Sequence, residues 1–312
     1  MLSRIADSLF WMNRYVERAE GMLRMLKINY ATSLDSSTED SYDWYPVLHI
    51  FTPMEEAKMN AIRYQSQDVL RYIISDKNND NSIQSIITKA RENARGLQDQ
   101  ITKELWESIN EYYLKFSSNK INDLLESNRQ SYAISSLIDQ SLYYYGVAEV
   151  TMPRGEGWNF MGIGKNIERV LQTADIVDMS FYDIDYDLNN PMDITYWKNL
   201  LMSLSGYEFY LKTYPTGLQT QNVLHMILMN TNFPRSIFYG VKKISFIMEK
   251  LAHTQVQEEK ELIHKIGRLK SHIEYTELET IKKIGLQTFL EQFRDELYEF
   301  NYSFNKHFFA YR

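Results

Sequence analysis

The chain has 312 residues, 44% of them hydrophobic and 24% charged, with a formal net charge of −7 and no cysteine. Disulfides, thiolate metal sites and a cysteine nucleophile are excluded, and the acidic balance argues against a nucleic-acid binder, which needs a basic face. Twelve glycines and six prolines are few for a β or α/β chain of this length, so long helices are favoured.

The N-terminal Met1-Leu2-Ser3-Arg4 runs into an amphipathic pattern without a long apolar h-region, so no secretory signal peptide is expected. Apolar residues at Ile5, Leu9, Met12, Val16, Ala19, Leu23 and Leu26 keep helical spacing and predict a first helix from Ser3 to about Leu34, capped by Ser3. A polar break, Asp35 to Ser41, leads to a short aromatic segment from Asp43 to Pro53. Helices are predicted next at about 55–75, 82–116, 119–128 and 130–149, before the break Thr151-Met152-Pro153-Arg154-Gly155. Another long helix covers about 158–180; an acidic loop follows from Tyr182 to Pro191. The remaining helices fall near 193–212, 217–230, 234–254, 257–272 and 276–305. No apolar run reaches the roughly 20 residues that span a bilayer, so no membrane partner and a cytoplasmic location are expected.

A Glu-Arg step occurs on two of these helices. Arg14-Tyr15-Val16-Glu17-Arg18-Ala19-Glu20 stands near the start and Lys165-Asn166-Ile167-Glu168-Arg169-Val170 past the middle, with Glu17 and Glu168 separated by 151 positions. Val69-Leu70 through Ser82-Ile83 matches Val223-Leu224 through Ser236-Ile237 at a similar separation. These matches predict an all-α, multi-helix bundle of about ten to twelve helices, one domain over 1–312, built from two related halves, 1–152 and 153–312. Chance similarity within one irregular bundle is the alternative. Duplicated halves commonly pack about a pseudo-twofold axis, which would bring the Glu17 and Glu168 helices together. Adjacent helical residues point about 100° apart, so Glu17 does not simply pair with Arg18. Arg14 and Lys165, three positions earlier, lie on the proper side to neutralise Glu17 and Glu168. Arg18 and Arg169 then need partners on other helices.

Three readings of Arg14, Glu17, Arg18, Lys165, Glu168 and Arg169 stay open. They form a structural polar network, line a pocket for an anionic or zwitterionic ligand, or act in general acid–base chemistry. Arg91 and Arg95 share a helix face and are candidates for gripping a phosphate or carboxylate; Arg235, beside a helix start at Pro234-Arg235-Ser236, is a third anion-binding candidate. Trp11, Trp106, Trp158 and Trp197 occupy apolar stripes and are expected in the core. The run Tyr143-Tyr144-Tyr145 must face several directions. The six histidines, including His253, are scattered, and His-Glu-x-x-His, the P-loop and Gly-x-Gly-x-x-Gly are all absent. No metal and no cofactor are expected, and Gly162-Ile163-Gly164 is assigned to close helix packing.

The opening Leu2-Ser3-Arg4 to Ala19-Glu20 resembles the bacterial alpha-E domain family, as do Ala90 to Arg95, Glu104 to Asn110, Gly164 to Arg169 and Asn232-Phe233-Pro234-Arg235-Ser236. Lys165 stands where a second arginine would complete the repeat, and lysine offers no bidentate contact. The resemblance implies an association with a circularly permuted ATP-grasp protein, often with a transglutaminase-like protease, in ATP-dependent peptide or amide ligation. With nucleotide-binding motifs and a plausible nucleophile both absent, a non-catalytic partner that presents a peptide substrate is expected. The alternative is a peptide or amide-bond transferase using a central Glu-Arg site.

Overall fold

The computed structural model describes residues 1–35, 42–188, 193–252 and 255–309. These residues form sixteen helices and no strand, so the chain is all-α. The first eight are α1 Ser3–Leu34, α2 Tyr45–Phe51, α3 Glu56–Ile62, α4 Ser66–Ile74, α5 Ile83–Arg95, α6 Lys103–Ser117, α7 Lys120–Glu126 and α8 Gln130–Thr151. The second eight are α9 Glu156–Tyr182, α10 Ile194–Ser203, α11 Tyr207–Thr213, α12 Thr220–Met229, α13 Ile237–Leu251, α14 Gln257–Glu274, α15 Leu278–Ile284 and α16 Leu286–Phe308. Residues 36–41 of the first polar break, 189–192 of the acidic loop, and His253 lie outside the described residues.

Sixteen helices replace the ten to twelve expected because four predicted segments are each broken in two. Between α3 and α4, the Arg63 carbonyl accepts from the Trp44 N–H at 2.9 Å and its guanidinium binds Asp43. Between α5 and α6, Thr102 caps the new helix by accepting from the Leu105 N–H at 3.2 Å. Ser205, at φ 55°, ends α10 in the left-handed region, and the following Gly206 N–H returns to the Leu201 carbonyl at 2.7 Å. Gly285, at φ 89°, turns the chain from α15 into α16 in a conformation that side chains resist.

The chain divides into two compact units, one of Trp11–Pro153 and one of Met1–Phe10 with Arg154–Arg312. In the first, α5 packs on α6, α6 on α8, and α7 on both α6 and α8. Ile87, Ala90, Leu105, Ile109, Tyr112, Leu137 and Tyr144 are fully buried there, and each large apolar side chain so placed contributes about 1.5–3 kcal/mol. In the second, α13 packs on α9 and α14, α14 on α16, and α16 on α9 and α15. A Cβ on Gly240 would sit 2.2 Å from Val170 Cγ2, and one on Gly162 2.9 Å from Ile247 Cδ1. These glycines let α13 approach α9 closely, which is the packing role assigned to Gly162.

Helix lengths run in a similar order in the two series of eight. α1 to α8 have 32, 7, 7, 9, 13, 15, 7 and 22 residues. α9 to α16 have 27, 10, 7, 10, 15, 18, 7 and 23. Among the described residues, no helix is long and apolar enough to cross a membrane.

Candidate functional site

Each Glu-Arg motif lies on the longest helix of its series and carries polar groups into a buried layer. On α1, Asn13, Glu17, Glu20 and Arg24 follow at intervals of four, three and four and therefore share a stripe. Asn13 is 5% exposed, Arg14 6%, Glu17 0% and Glu20 2%. A carboxylate so deeply buried costs several kcal/mol unless its lone pairs are taken up. α8 supplies partners from the tyrosine run. Tyr144 donates to Asn13 Oδ1 and Tyr145 to Glu17 Oε2, both at 2.6 Å, while Tyr143 faces solvent. Arg24 donates through Nε to Glu20, and Arg14 lies over the Trp11 ring, 4.7 Å from its centroid.

Burial favours the protonated form of two phenols in this layer, Tyr144 and Tyr112. Burial pushes the Tyr144 hydroxyl far above its ordinary pKa. It does the same at Tyr112 of α6, where a hydrogen bond with Ser141 opposes the shift and nearby Glu20 adds to it. A tyrosinate base is thus disfavoured at these two positions.

In the other unit, Glu168 is 4% exposed on α9, and an acidic pair, Asp175 and Asp178, stands about two and three turns further along the helix. Arg294 of α16 bridges that pair, Nε to Asp175 Oδ1 at 2.9 Å and a terminal nitrogen to Asp178 Oδ2 at 2.8 Å. Tyr186 donates to the second oxygen of Asp178 at 2.7 Å. Burial raises the Asp175 pKa; Arg294 opposes this, and the charges of Asp178 and Glu168 reinforce it.

The arginines of the two motifs make a matching contact, each within its own unit. Arg18 donates to Asn81 Oδ1 at 3.4 Å, in the loop before Ser82. Arg169 donates to the Pro234 carbonyl at 3.5 Å, in the loop before Ser236, and Thr173 donates to the Arg235 carbonyl at 3.2 Å. Ser82 and Ser236 are the N-caps of α5 and α13, accepting from Ser85 N at 3.2 Å and Tyr239 N at 3.0 Å. Both serines are buried. Each Glu-Arg helix therefore fixes the entry of a helix in its own unit. Lys165 is half-buried on α9, one turn before Arg169.

The anion-binding candidates are placed differently from one another. Arg91 is held in the α5–α6 packing, donating to Asn110 Oδ1 and Glu92 Oε1, both at 2.8 Å, with Tyr113 and Trp106 against its guanidinium. Arg95 is 64% exposed and shares the Glu92 carboxylate at 3.5 Å. Glu92 thus stands between the two guanidiniums, which belong to one unit, whereas Arg235 belongs to the other and is 8% exposed. Pro234 lies outside α13, whose first turn is capped by the Ser236 hydroxyl.

Of the four tryptophans expected in the core, Trp197 is fully buried and Trp11, Trp106 and Trp158 are half-buried. Their remaining faces meet Arg14, Arg91 and Arg154, the last 3.9 Å from the Trp158 centroid. Indole at the margin of an apolar stripe gains a guanidinium cover where full burial would leave its N–H without a partner. Among the described residues, no group of three or more His, Asp or Glu is arranged to hold a metal ion.

Sequence reasoning named Tyr145 within the tyrosine run without its partner Glu17, and missed Asn81, Asp175, Asp178, Tyr186 and Arg294. Asp175 could have been found, because it lies seven positions after Glu168 on one stripe. Nothing local marks Arg294.

The chain is 24% identical over 258 residues to an uncharacterised protein of Mycobacterium bovis, the match covering 77% of this chain and 29% of the relative. Two uncharacterised proteins of Mycobacterium tuberculosis match over the same length at 24% and 23% identity. The aligned region is thus less than a third of the length of these relatives. No solved structure matches. The model of the Alpha-E family, described as a predicted alpha-helical domain with a conserved ER motif, matches residues 1–309. With its Glu-Arg steps at Glu17-Arg18 and Glu168-Arg169, the chain belongs to the Alpha-E family.

Proposed function

We propose that the chain is a non-catalytic, substrate-presenting component of an ATP-grasp-type peptide or amide ligation system, acting in the cytoplasm. Its partners on this reading are a circularly permuted ATP-grasp protein, a peptide substrate and, in some systems, a transglutaminase-like protease. The observation that carries the non-catalytic part is the use of the Glu-Arg charges by the fold itself. Glu17 accepts from Tyr145, Arg18 holds the loop before α5 and Arg169 the loop before α13. Groups committed to helix placement suit a frame better than a proton relay. The longer relatives support a modular role, since there the matched region is one part of a larger chain.

The similar order of helix lengths and the matched arginine contacts support a further part of the proposal. The two halves arose by tandem duplication, with the pseudo-twofold pairing that duplicated halves commonly adopt.

Co-purification with the ATP-grasp protein, followed by mass spectrometry of ATP-dependent products, tests the role. The expected product needs both proteins and is absent with this chain alone. An amide product formed by this chain alone from an activated donor would establish the transferase reading instead. A product yield unchanged by omitting this chain removes it from the reaction.

A further inference from the structure

The α14–α16 pair carries a second feature, separate from the Glu-Arg layers. The two helices are antiparallel and cross-linked along their length, by His272 and Arg268 to Glu296 and by two further links nearer the start of α14. His307 Nε2 meets Glu259 Oε1 at 3.1 Å, and Lys265 Nζ reaches Glu299 Oε1 at 2.7 Å and Ser303 Oγ at 3.0 Å. Between these links lies a groove of about 540 Å³, with Leu262 among its apolar lining. That volume falls within the range of small-molecule sites. We propose that this groove binds a short zwitterionic ligand, an amino acid or dipeptide with a free α-ammonium and a free α-carboxylate.

The charge pattern carries the inference. Glu258 and Glu261 line the groove from the first two turns of α14, three positions apart and therefore on one face. Glu261 precedes Lys265 by four positions, the favourable spacing for an intrahelical ion pair. Lys265 instead crosses to α16, leaving Glu261 without an ion pair among the described residues. Lys306, opposite in the antiparallel register set by the cross-links, lines the same groove and also makes no ion pair among the described residues. Uncommitted charges of both signs therefore face one small cavity. The two carboxylates suit an ammonium, and Lys306 suits a carboxylate.

Lys265 and Ser303 complete the anionic end. An ammonium has three N–H donors, and Lys265 spends two on Glu299 and Ser303, so one remains. Ser303 accepts from Lys265, which leaves its own O–H available to donate. Glu299 sits beside Lys265 with its carboxyl pKa lowered by that hydrogen bond, so the carboxylate form that holds Lys265 in place is favoured.

This inference stands on the groove alone and survives failure of the ligation reading. Its test is a calorimetric or NMR titration of the full chain with glycylglycine, the anion N-acetylglycine and the cation glycinamide. Glycylglycine is expected to bind at about millimolar Kd, with each singly charged probe about tenfold weaker. Lys306→Met should weaken glycylglycine and close its gap to glycinamide, because the carboxylate no longer counts. Glu261→Gln should close the gap to N-acetylglycine. Both residues are exposed, and a melting curve for each variant verifies its fold. Equal binding of the three probes, no binding of glycylglycine at about 50 mM, or unchanged preference in both variants overturns the proposal.

Discussion

Tyr145→Phe isolates one bond of the Glu-Arg layer. The substitution removes a single oxygen and keeps the ring, which packs edge-on against Tyr144 with centroids 5.5 Å apart. It deprives a fully buried carboxylate of a 2.6 Å donor. A hydrogen bond to a charged group contributes about 1.5–3 kcal/mol. Tyr145→Phe should therefore lower the unfolding free energy by about 1.5–3 kcal/mol. Glu17→Met will also destabilise, because the polar surroundings of Glu17 lose their anion. The decisive quantity is the coupling between the two substitutions, expected at about 1.5 kcal/mol or more. Urea unfolding of the wild type, both single variants and the double variant supplies it. A coupling below about 0.5 kcal/mol, with Tyr145→Phe near wild-type stability, would refute the claim that Tyr145 satisfies Glu17.

Gly240→Ala should destabilise by about 1–3 kcal/mol, since its Cβ would fall 2.2 Å from Val170 Cγ2; Val170→Ala in the same chain should recover part of the loss in thermal unfolding. Arg294→Met should cost about 1–2 kcal/mol by urea unfolding, a modest value because Asp175 and Asp178 keep 38% and 26% of their side-chain surface. The folded chain holds the Asp175 proton more tightly than the unfolded chain, whose pKa is near 3.8. Stability from this group thus declines as pH rises above 3.8, and Asp175→Asn, lacking the titration, should gain relative to wild type over that rise. His225 behaves in the opposite sense, because burial lowers its pKa below 6.5 beside the Tyr214 hydroxyl. Unfolding then takes up a proton as pH falls below 6.5, so melting temperature should drop more steeply there in wild type than in His225→Gln.

Helix content and the Glu-Arg stripe were legible because both are local. The spacing of Ile5 through Leu26 located α1, and Ser82 and Ser236 marked helix starts that their hydroxyls indeed cap. The breaks were legible only in part. Gly285 was visible as a glycine, but its positive φ was not, and Arg63-Tyr64-Gln65 contains neither glycine nor proline. That turn exists because the Arg63 carbonyl is used by Trp44, a tertiary choice that propensity does not encode. Buried charge in an apolar stripe announced that Glu17 needed partners without naming them. Asn81 lies 63 positions from Arg18, Tyr145 lies 128 from Glu17, and Arg294 lies 119 from Asp175. A helix pattern constrains neighbours three and four positions away, so separations of that size leave no imprint on it.

The front end of α1 has a consequence for where the chain can be cut. Phe10 meets Phe304 and Phe309 at 5.8 and 5.2 Å, and Leu9 presses against Gly157, where a Cβ would approach it to 3.1 Å. Those opening residues group with Arg154–Arg312, while the same helix from Trp11 onward groups with the other unit. The border between the compact units therefore falls inside a continuous helix, not at the break before α9. Severing the gene after Pro153 strips an aromatic box of its lid.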